Sequence, residues 1–307
     1  MTTAPPPHAE DGAASASGTA VQLLGPKEIR ELAEKLDVSP TKKLGQNFLH
    51  DPNTVRMIIA AADITAADDV IEIGPGLGSL TLGLVEAARS VTAVEIDPRL
   101  AGELPATARA RAGAAAARLE VHNRNALEFS HEECATKPTV LAANLPYNVS
   151  VPVLMHILAE FPSLTRVLVM VQKEVADRLS AQPGSKIYGV PSVKAAYYGS
   201  VRRAGVIGKN VFWPAPKIDS GLVRIDCFDR DAMPWQASAA EVFPIVDAAF
   251  AQRRKTLRAA LAGHFGSGER SEAILRRAGI DPTLRGERLG VQEFVDIAVA
   301  SREDAGA

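Results

Sequence analysis

Read as alternating apolar and polar positions, the chain falls into two regimes: short apolar runs separated by helical spacing up to about residue 228, and helical spacing alone beyond about residue 237. Residues 26–36 have helical spacing and stop before Pro40. Asp51 followed by Pro52 reads as a helix cap and first helical position, with Val55, Ile58 and Ile59 on the inner face. Residues 69–73, 90–96, 119–122, 139–144 and 166–172 are short, rich in Val, Ile and Leu, and predict buried strands. Residues 101–117, 150–158 and 175–181 fit helices between them, and 193–198 fit either a strand or a helix. Residues 220–228 alternate as a final strand. Val242, Ile245, Val246, Ala249 and Phe250 then open a helical series continued by 257–261, 272–277 and 291–300. This is the pattern of an α/β, doubly wound sheet followed by a small all-helical C-terminal domain. The expected division is a disordered tail over 1–22, rich in Pro, Ala, Ser and Gly, a sheet domain over 23–230, and a helical domain over 231–307.

Composition narrows this picture. A chain of 307 residues, 47% of them apolar, can bury a full core and has room for two domains. No apolar run has the length of a membrane span, and the first residues lack the basic and apolar regions of a secretory signal. Cys134 and Cys227 stand far apart and suggest neither a disulfide framework nor a metal knuckle, so a cytoplasmic setting and no metal are expected. The net charge of −2 argues against a nucleic-acid partner. Its distribution argues for one. Between Asp177 and Asp219 the only charged residues are Arg178, Lys186, Lys194, Arg202, Arg203, Lys209 and Lys217, and Arg253, Arg254, Lys255 and Arg258 form a second cluster. Acids elsewhere in space can equally balance such a face.

Candidate chemistry gathers at the ends of the expected strands. The first strand of the sheet leads into Gly74-Pro75-Gly76-Leu77-Gly78, a strand–glycine turn–helix unit of the kind that binds ligands at strand carboxyl ends. Its spacing differs from the G-x-G-x-x-G that cradles a pyrophosphate, which disfavours a nicotinamide dehydrogenase. The second strand ends in Glu95-Ile96-Asp97, where a carboxylate can accept hydrogen bonds from both ribose hydroxyls of an adenosine group. After the third strand, Asn125 can hydrogen-bond an adenine amino group or cap a helix. The fourth ends at Asn144-Leu145-Pro146-Tyr147. Pro146 removes a donor and holds Leu145 extended, gathering an amide side chain, a carbonyl and an aromatic ring at one corner. The two hydrogens of an adenine amino group fit the Asn144 oxygen and a backbone carbonyl, with Tyr147 stacked on the ring. Two further stretches can contribute. Phe48 and Leu49 can anchor a polar loop that presents Gln46 and Asn47, and Phe212-Trp213-Pro214-Ala215-Pro216-Lys217 is too rich in proline for a helix interior or central strand and can wall a base pocket.

With these residues assembled, the chain resembles the ribosomal RNA adenine dimethyltransferases of the KsgA (RsmA) type. The resemblance rests on Leu44-Gly45-Gln46-Asn47-Phe48-Leu49, Ile71-Glu72-Ile73-Gly74-Pro75-Gly76-Leu77-Gly78, Val94-Glu95-Ile96-Asp97, Asn144-Leu145-Pro146-Tyr147-Asn148, Val211-Phe212-Trp213-Pro214-Ala215-Pro216-Lys217 and Phe250-Ala251-Gln252-Arg253-Arg254-Lys255-Thr256-Leu257, in order from about Leu36 onward. It implies a Rossmann-like sheet that uses S-adenosylmethionine to dimethylate N6 of two adjacent adenosines near the 3′ end of small-subunit (16S) ribosomal RNA. The partner it implies is that RNA within an assembling small subunit, acted on by a monomer in the cytoplasm with no membrane attachment. By the same resemblance Gln46, Asn47, Leu49, Gly74, Gly76, Glu95, Ile96, Asn125 and Asn144 hold the cofactor. Asn144, Leu145, Pro146 and Tyr147, with Phe212 opposite, hold the target base. The family usually has Asp where this chain has Asn125, so an amide replaces a charged acceptor there. Two rivals share much of the pattern: an antibiotic-resistance methyltransferase acting on large-subunit RNA, and an RNA-binding assembly factor whose catalysis is secondary. The Pro-Ala-Pro segment and the Arg-rich helical region favour the small-subunit reading.

Overall fold

The structure, a computed structural model, describes residues 20–38 and 46–305; Pro40, Leu44, Gly45 and residues 1–19 of the expected tail lie outside them. The first helix, α1 (Pro26–Lys35), starts on a proline, and the Glu28 carboxylate accepts the Gly25 N–H at 3.1 Å. Residues 20–22 do not behave as free tail: the Gln22 N–H donates to the Arg111 carbonyl at 2.9 Å, and Val21 packs on the core. After β1 (Phe48–Leu49), Asp51 caps α2 (Pro52–Ala61) by accepting the Thr54 N–H at 2.8 Å.

The alternation then runs β2 (Asp69–Ile73), α3 (Ser79–Ala87), β3 (Ser90–Glu95), α4 (Pro98–Ala112), β4 (Leu119–Asn123), β5 (Val140–Asn144), α5 (Ser150–Glu160), β6 (Arg166–Gln172), α6 (Lys173–Leu179) and α7 (Val190–Tyr198). Next come β7 (Gly199–Ile207), β8 (Phe212–Trp213) and β9 (Ser220–Cys227). The seven-stranded sheet has the order β4-β3-β2-β5-β6-β9-β7, parallel from β4 to β6 and antiparallel through β9 and β7. The chain winds outward from β2 to β4, then crosses back to place β5 on the other side of β2. That reversal opens a crevice at the strands' carboxyl ends.

Three local outcomes differ from the periodicity. The helix expected over 101–117 begins at Pro98 and ends at Ala112, because Gly113 takes φ +53° and turns the chain into a short 3-10 segment. Residues 193–198 resolve as helix. The periodicity does not show β7: it is an edge strand, where exposed Arg202 and half-buried Arg203 interrupt alternation at no cost to the core, and it carries an irregularity between Arg203 and Gly205. The two-residue ribbon of β1 and β8, pairing Phe48 with Trp213 and Leu49 with Phe212, is too short to show a period.

One apolar cluster covers the sheet face under α5 to α7 and continues into α8 (Ala239–Ala251), α9 (Leu257–Ala260), α10 (Ala262–Phe265), α11 (Gly268–Arg277) and α12 (Val291–Ala305). Val242, Leu257 and Phe294, all fully buried, belong to the same cluster as Ile71 and Leu141. The C-terminal helices thus share a core with the sheet, and we propose the boundary near 230 only as a change of architecture. The second cluster covers the other face with Leu24, Ile58, Leu80 and Phe212.

The two ends of the sheet are treated differently. At the amino ends of the strands, Arg89 pairs with Asp69 and Arg166 with Asp68, while Ser90 and Thr139 hydroxyls donate to the same two carboxylates. Polar cross-links therefore tie β2, β3, β5 and β6 at their feet. Their carboxyl ends are left to form the cleft.

Candidate active site

The cleft lies over the carboxyl ends of β2, β3, β4 and β5, and Gln46, Gly74, Glu95, Asn125, Asn144 and Tyr147 are among its lining residues. Register explains why they meet. Ile73 pairs with Val94, and the Gly74 N–H donates to the Val94 carbonyl at 2.9 Å. On the other side Ile71 pairs with Leu141. Counting on from these pairs, Gly74 falls level with Glu95 and Asn144, so three adjacent strands end together. A Cβ on Gly74 would meet Pro146 Cδ at 3.6 Å and the Asn144 carbonyl oxygen at 3.9 Å.

Glycines 74, 76 and 78 all have positive φ (+69°, +59° and +95°), which keeps the turn clear of side chains. A Cβ on Gly76 would lie 3.0 Å from the Phe48 ring. The Gly76 N–H is turned onto Glu95 Oε2 at 3.1 Å, and the Asp97 N–H donates to Glu95 Oε1 at 3.0 Å. Burial pushes the Glu95 carboxyl above the usual range against the opposing pull of these two N–H groups. Each oxygen keeps a lone pair for a hydroxyl in the cleft. Ile96, 56% exposed, and Leu127, 40% exposed, line the same end and present apolar surface to a flat ring.

Asn125 is held in a turn. Its Oδ1 accepts the Leu127 N–H at 3.1 Å and its Nδ2 donates to Glu128 at 3.0 Å. The helix cap does not form: residues 126–128 make a turn, closed by the Glu128 N–H donating to the Asn125 carbonyl at 3.0 Å.

Asn144 Nδ2 donates to the Asn47 carbonyl at 3.1 Å. Only an amide nitrogen can make that bond, so Oδ1 is the acceptor end presented at the rim. The Asn47 segment is itself fixed by β1: Leu49 pairs with Phe212, the His50 N–H donates to the Val211 carbonyl at 2.9 Å, and the Ser79 hydroxyl donates to the Leu49 carbonyl. Beyond Asn144, the Pro146 carbonyl accepts the Val149 N–H at 3.2 Å. The half-buried Tyr147 shares a 2.7 Å hydrogen bond with the Ser220 hydroxyl, and burial raises its phenol above the ordinary value.

Of the residues expected to act, all but one line the cleft. Phe212 does not. It is 2% exposed, packs into the second core cluster and pairs with Leu49 in the ribbon. Alternation along β8 sends its ring inward and leaves Trp213 partly exposed beside Phe48, with ring centroids 6.4 Å apart.

The structure adds a residue that sequence reasoning passed over. Glu72 lines the cleft from β2 yet is only 1% exposed, and its carboxyl accepts the Thr81 hydroxyl at 2.6 Å. Burial, with a smaller contribution from the neighbouring Glu95 and opposed by Thr81, pushes it up to about 8. A lone acid inside a Val-Ile-Glu-Ile strand buried at every position was the available signal. Among the described residues no cluster of His, Cys, Asp and Glu is placed to hold a metal, and no helix is long and apolar enough to cross a membrane.

The sequence profile of the family described as ribosomal RNA adenine dimethylase matches residues 39–301. A relative from Corynebacterium diphtheriae, named ribosomal RNA small subunit methyltransferase A, is 65% identical over 289 residues, covering 92% of this chain and 98% of its own. Among solved structures, a dimethyladenosine transferase from Plasmodium falciparum superposes with a TM-score of 0.71 at 23% identity, over 84% of this chain and 98% of that one. The 23S rRNA methyltransferase ErmE superposes with a TM-score of 0.61 at 24% identity, over 83% and 100%. At those identities the two structures establish the shared Rossmann-like methyltransferase fold.

Proposed function

Because the chain belongs to the ribosomal RNA adenine dimethylase family, we propose that it dimethylates N6 of two adjacent adenosines near the 3′ end of small-subunit ribosomal RNA, with S-adenosylmethionine as donor. The observation that carries this reading is the level arrangement of Gly74, Glu95 and Asn144 across three adjacent strands, with the Asn144 amide oriented by the Asn47 carbonyl.

The donor set fits S-adenosylmethionine. Glu95 would take the ribose hydroxyls, Asn125 and the apolar Ile96 and Leu127 the adenine, and the side-chain-free turn at Gly74 and Gly76 the remainder, with Gln46, Asn47 and Leu49 closing the near wall. When bound, that cofactor supplies an electrophilic methyl group on a sulfonium.

The residues of the chain do the rest. An exocyclic adenine amine is a poor nucleophile because its lone pair is delocalised into the ring. Asn144 Oδ1 and the Leu145 carbonyl would accept its two hydrogens and favour a pyramidal nitrogen with its lone pair directed into the cleft. The Val149 N–H already occupies the Pro146 carbonyl, which favours Leu145 for the second bond. Positioning of this kind is worth effective molarities on the order of 10⁵–10⁸ M. The nitrogen becomes acidic only as it is alkylated, so its proton can pass to water without a strong base. Extracting the base from its stack costs a few kcal/mol, and stacking on Tyr147, worth roughly 1–3 kcal/mol, offsets that cost.

The deciding experiment is mass spectrometry and primer extension on small- and large-subunit RNA from cells with the gene, without it, and carrying Asn144→Ala. Loss of dimethyladenosine from the small-subunit RNA alone, restored by wild type and not by the variant, is expected. Loss from the large-subunit RNA would overturn the assignment.

A further inference from the structure

Three charged side chains line the cleft: Glu72, Glu95 and Arg124. Arg124 is paired with Glu133 at 3.0 Å, and Glu95 is held by two backbone N–H groups. Glu72 has neither arrangement. Its one hydrogen bond among the described residues comes from the uncharged Thr81 on α3. From β3 the charged group facing it is Glu95, another acid, while β5 offers the uncharged Asn144 at the rim. The arginines of the adjoining strands and helix are engaged elsewhere: Arg89 by Asp69 and Arg166 by Asp68 at the opposite, amino ends of the strands, and Arg99 on α4 by Asp97. The floor of the cleft therefore lacks a positive counter-charge.

Strand order says what could supply one. Given the proposed function, Glu95 on β3 takes the ribose and Asn144 on β5 the target amine. The strand between them is β2, so the sulfonium portion of the donor would pass over Glu72. We propose that Glu72 is a proton-exchanging positioning residue, which keeps its proton while the cleft is without a donor and loses it to solvent when the cationic end of the donor is seated beside it. In this step the Glu72 O–H bond breaks, the proton passes to water or buffer, and no other bond changes. Burial of the carboxyl and the repulsion of Glu95, which together push Glu72 up to about 8, agree with a proton held at neutral pH.

The test is titration calorimetry of the full chain near pH 7, in buffers of different ionisation enthalpy. The two ligands are S-adenosylmethionine and 5′-methylthioadenosine, which shares the adenosine but is an uncharged thioether. About one proton released per S-adenosylmethionine bound is expected, and almost none with the thioether. Affinity for S-adenosylmethionine should rise about tenfold per pH unit between pH 6 and 7 and level off above 8. Glu72→Gln should bind without proton release and with flat pH dependence.

Equal release with both ligands would assign the proton to the ribose end and overturn the proposal, as would release that persists in Glu72→Gln. If that variant does not fold, the comparison of the two ligands on the wild-type protein decides alone. Binding of S-adenosylmethionine without proton release defeats this inference and leaves the donor assignment standing. Failure to bind at all defeats both.

Discussion

Asn144 reaches back 97 residues to donate a side-chain N–H to the Asn47 carbonyl at 3.1 Å. The bond joins the end of β5 to the segment leading into β1, and it fixes which end of the amide faces the acceptor side of the cleft. Asn144→Ala removes the acceptor and is expected to lower methyl transfer at least about 100-fold, the scale for losing one oriented catalytic contact. Cofactor affinity should change only a few-fold. Asn144→Asp is the sharper variant, because a carboxylate cannot donate to Asn47 and sets two acceptors against each other, at about 1–3 kcal/mol. Methyl transfer to RNA measured beside calorimetric cofactor binding separates the two effects. Full turnover in either variant would refute the orientation argument.

Glu72 makes a second expectation, about stability. An ordinary carboxyl loses its proton in the unfolded chain near pH 4.5, whereas the buried Glu72 retains it up to about 8. Between those values the folded state holds the extra proton, so this group's contribution falls as pH rises, by up to about 1.4 kcal/mol per unit. Glu72→Gln removes the dependence while keeping an acceptor for the Thr81 hydroxyl. In urea unfolding of the protein without ligand, the variant should gain on wild type steadily from pH 5 to 8 and no further above that. A constant difference would show that Glu72 does not carry the proton.

Much of this molecule was legible because apolar periodicity is imposed by burial. The runs at 69–73 and 166–172 match β2 and β6 residue for residue, since central strands covered on both faces are held mostly apolar, with Glu72 the interior exception. β7 escaped detection for the opposite reason: an edge strand tolerates Arg202 and Arg203. At the site, Gly74, Glu95 and Asn144 were readable from their places after strands, because the fold itself puts strand ends together. The burial of Phe212 was not legible, because which face of a two-residue strand turns inward is decided by its partner, Leu49, and no local pattern records that. Glu72 is hard to read from sequence because its motif does not record how deeply the carboxyl is desolvated, which depends on the elements that cover β2.

Tyr147 has two separable parts. Its hydroxyl shares a hydrogen bond with Ser220 at 2.7 Å on β9, while its ring lines the cleft. Tyr147→Phe keeps the ring and loses about 1 kcal/mol of positioning, so a KM for RNA raised only a few-fold is expected. Tyr147→Ala also removes the stacking surface, worth roughly 1–3 kcal/mol per base, and should weaken RNA capture on the order of 10- to 100-fold. Single-turnover kinetics at saturating cofactor would show it. Equal effects of the two variants would mean that the ring does not stack on the base.

The basic stretches carry the last expectation, and the structure divides them. Arg203 is paired with Asp177, Lys194 with Asp247, Arg202 with Asp226, Arg253 with Glu287 and Arg258 with Glu272. Among the described residues no ion pair engages Lys209, Lys217, Arg254 or Lys255, and all four are exposed. A cation already neutralised by a carboxylate releases few counterions when a phosphate approaches, whereas an unpaired one contributes in full. For single-stranded RNA each phosphate contact adds about −0.7 to the slope of log affinity against log salt. Replacing both Arg254 and Lys255 with Gln is therefore expected to flatten that slope by about 1.4 if each meets one phosphate. Arg203→Gln should leave the slope unchanged and lower thermal stability modestly instead, since it removes one of the two cations, Arg203 and Lys173, that pair with Asp177 on the neighbouring helix. Fluorescence anisotropy across a salt series, with melting curves of the same proteins, distinguishes these outcomes. A slope that Arg203→Gln flattens and the double variant does not would move the RNA-docking surface from the helical segment to the edge of the sheet.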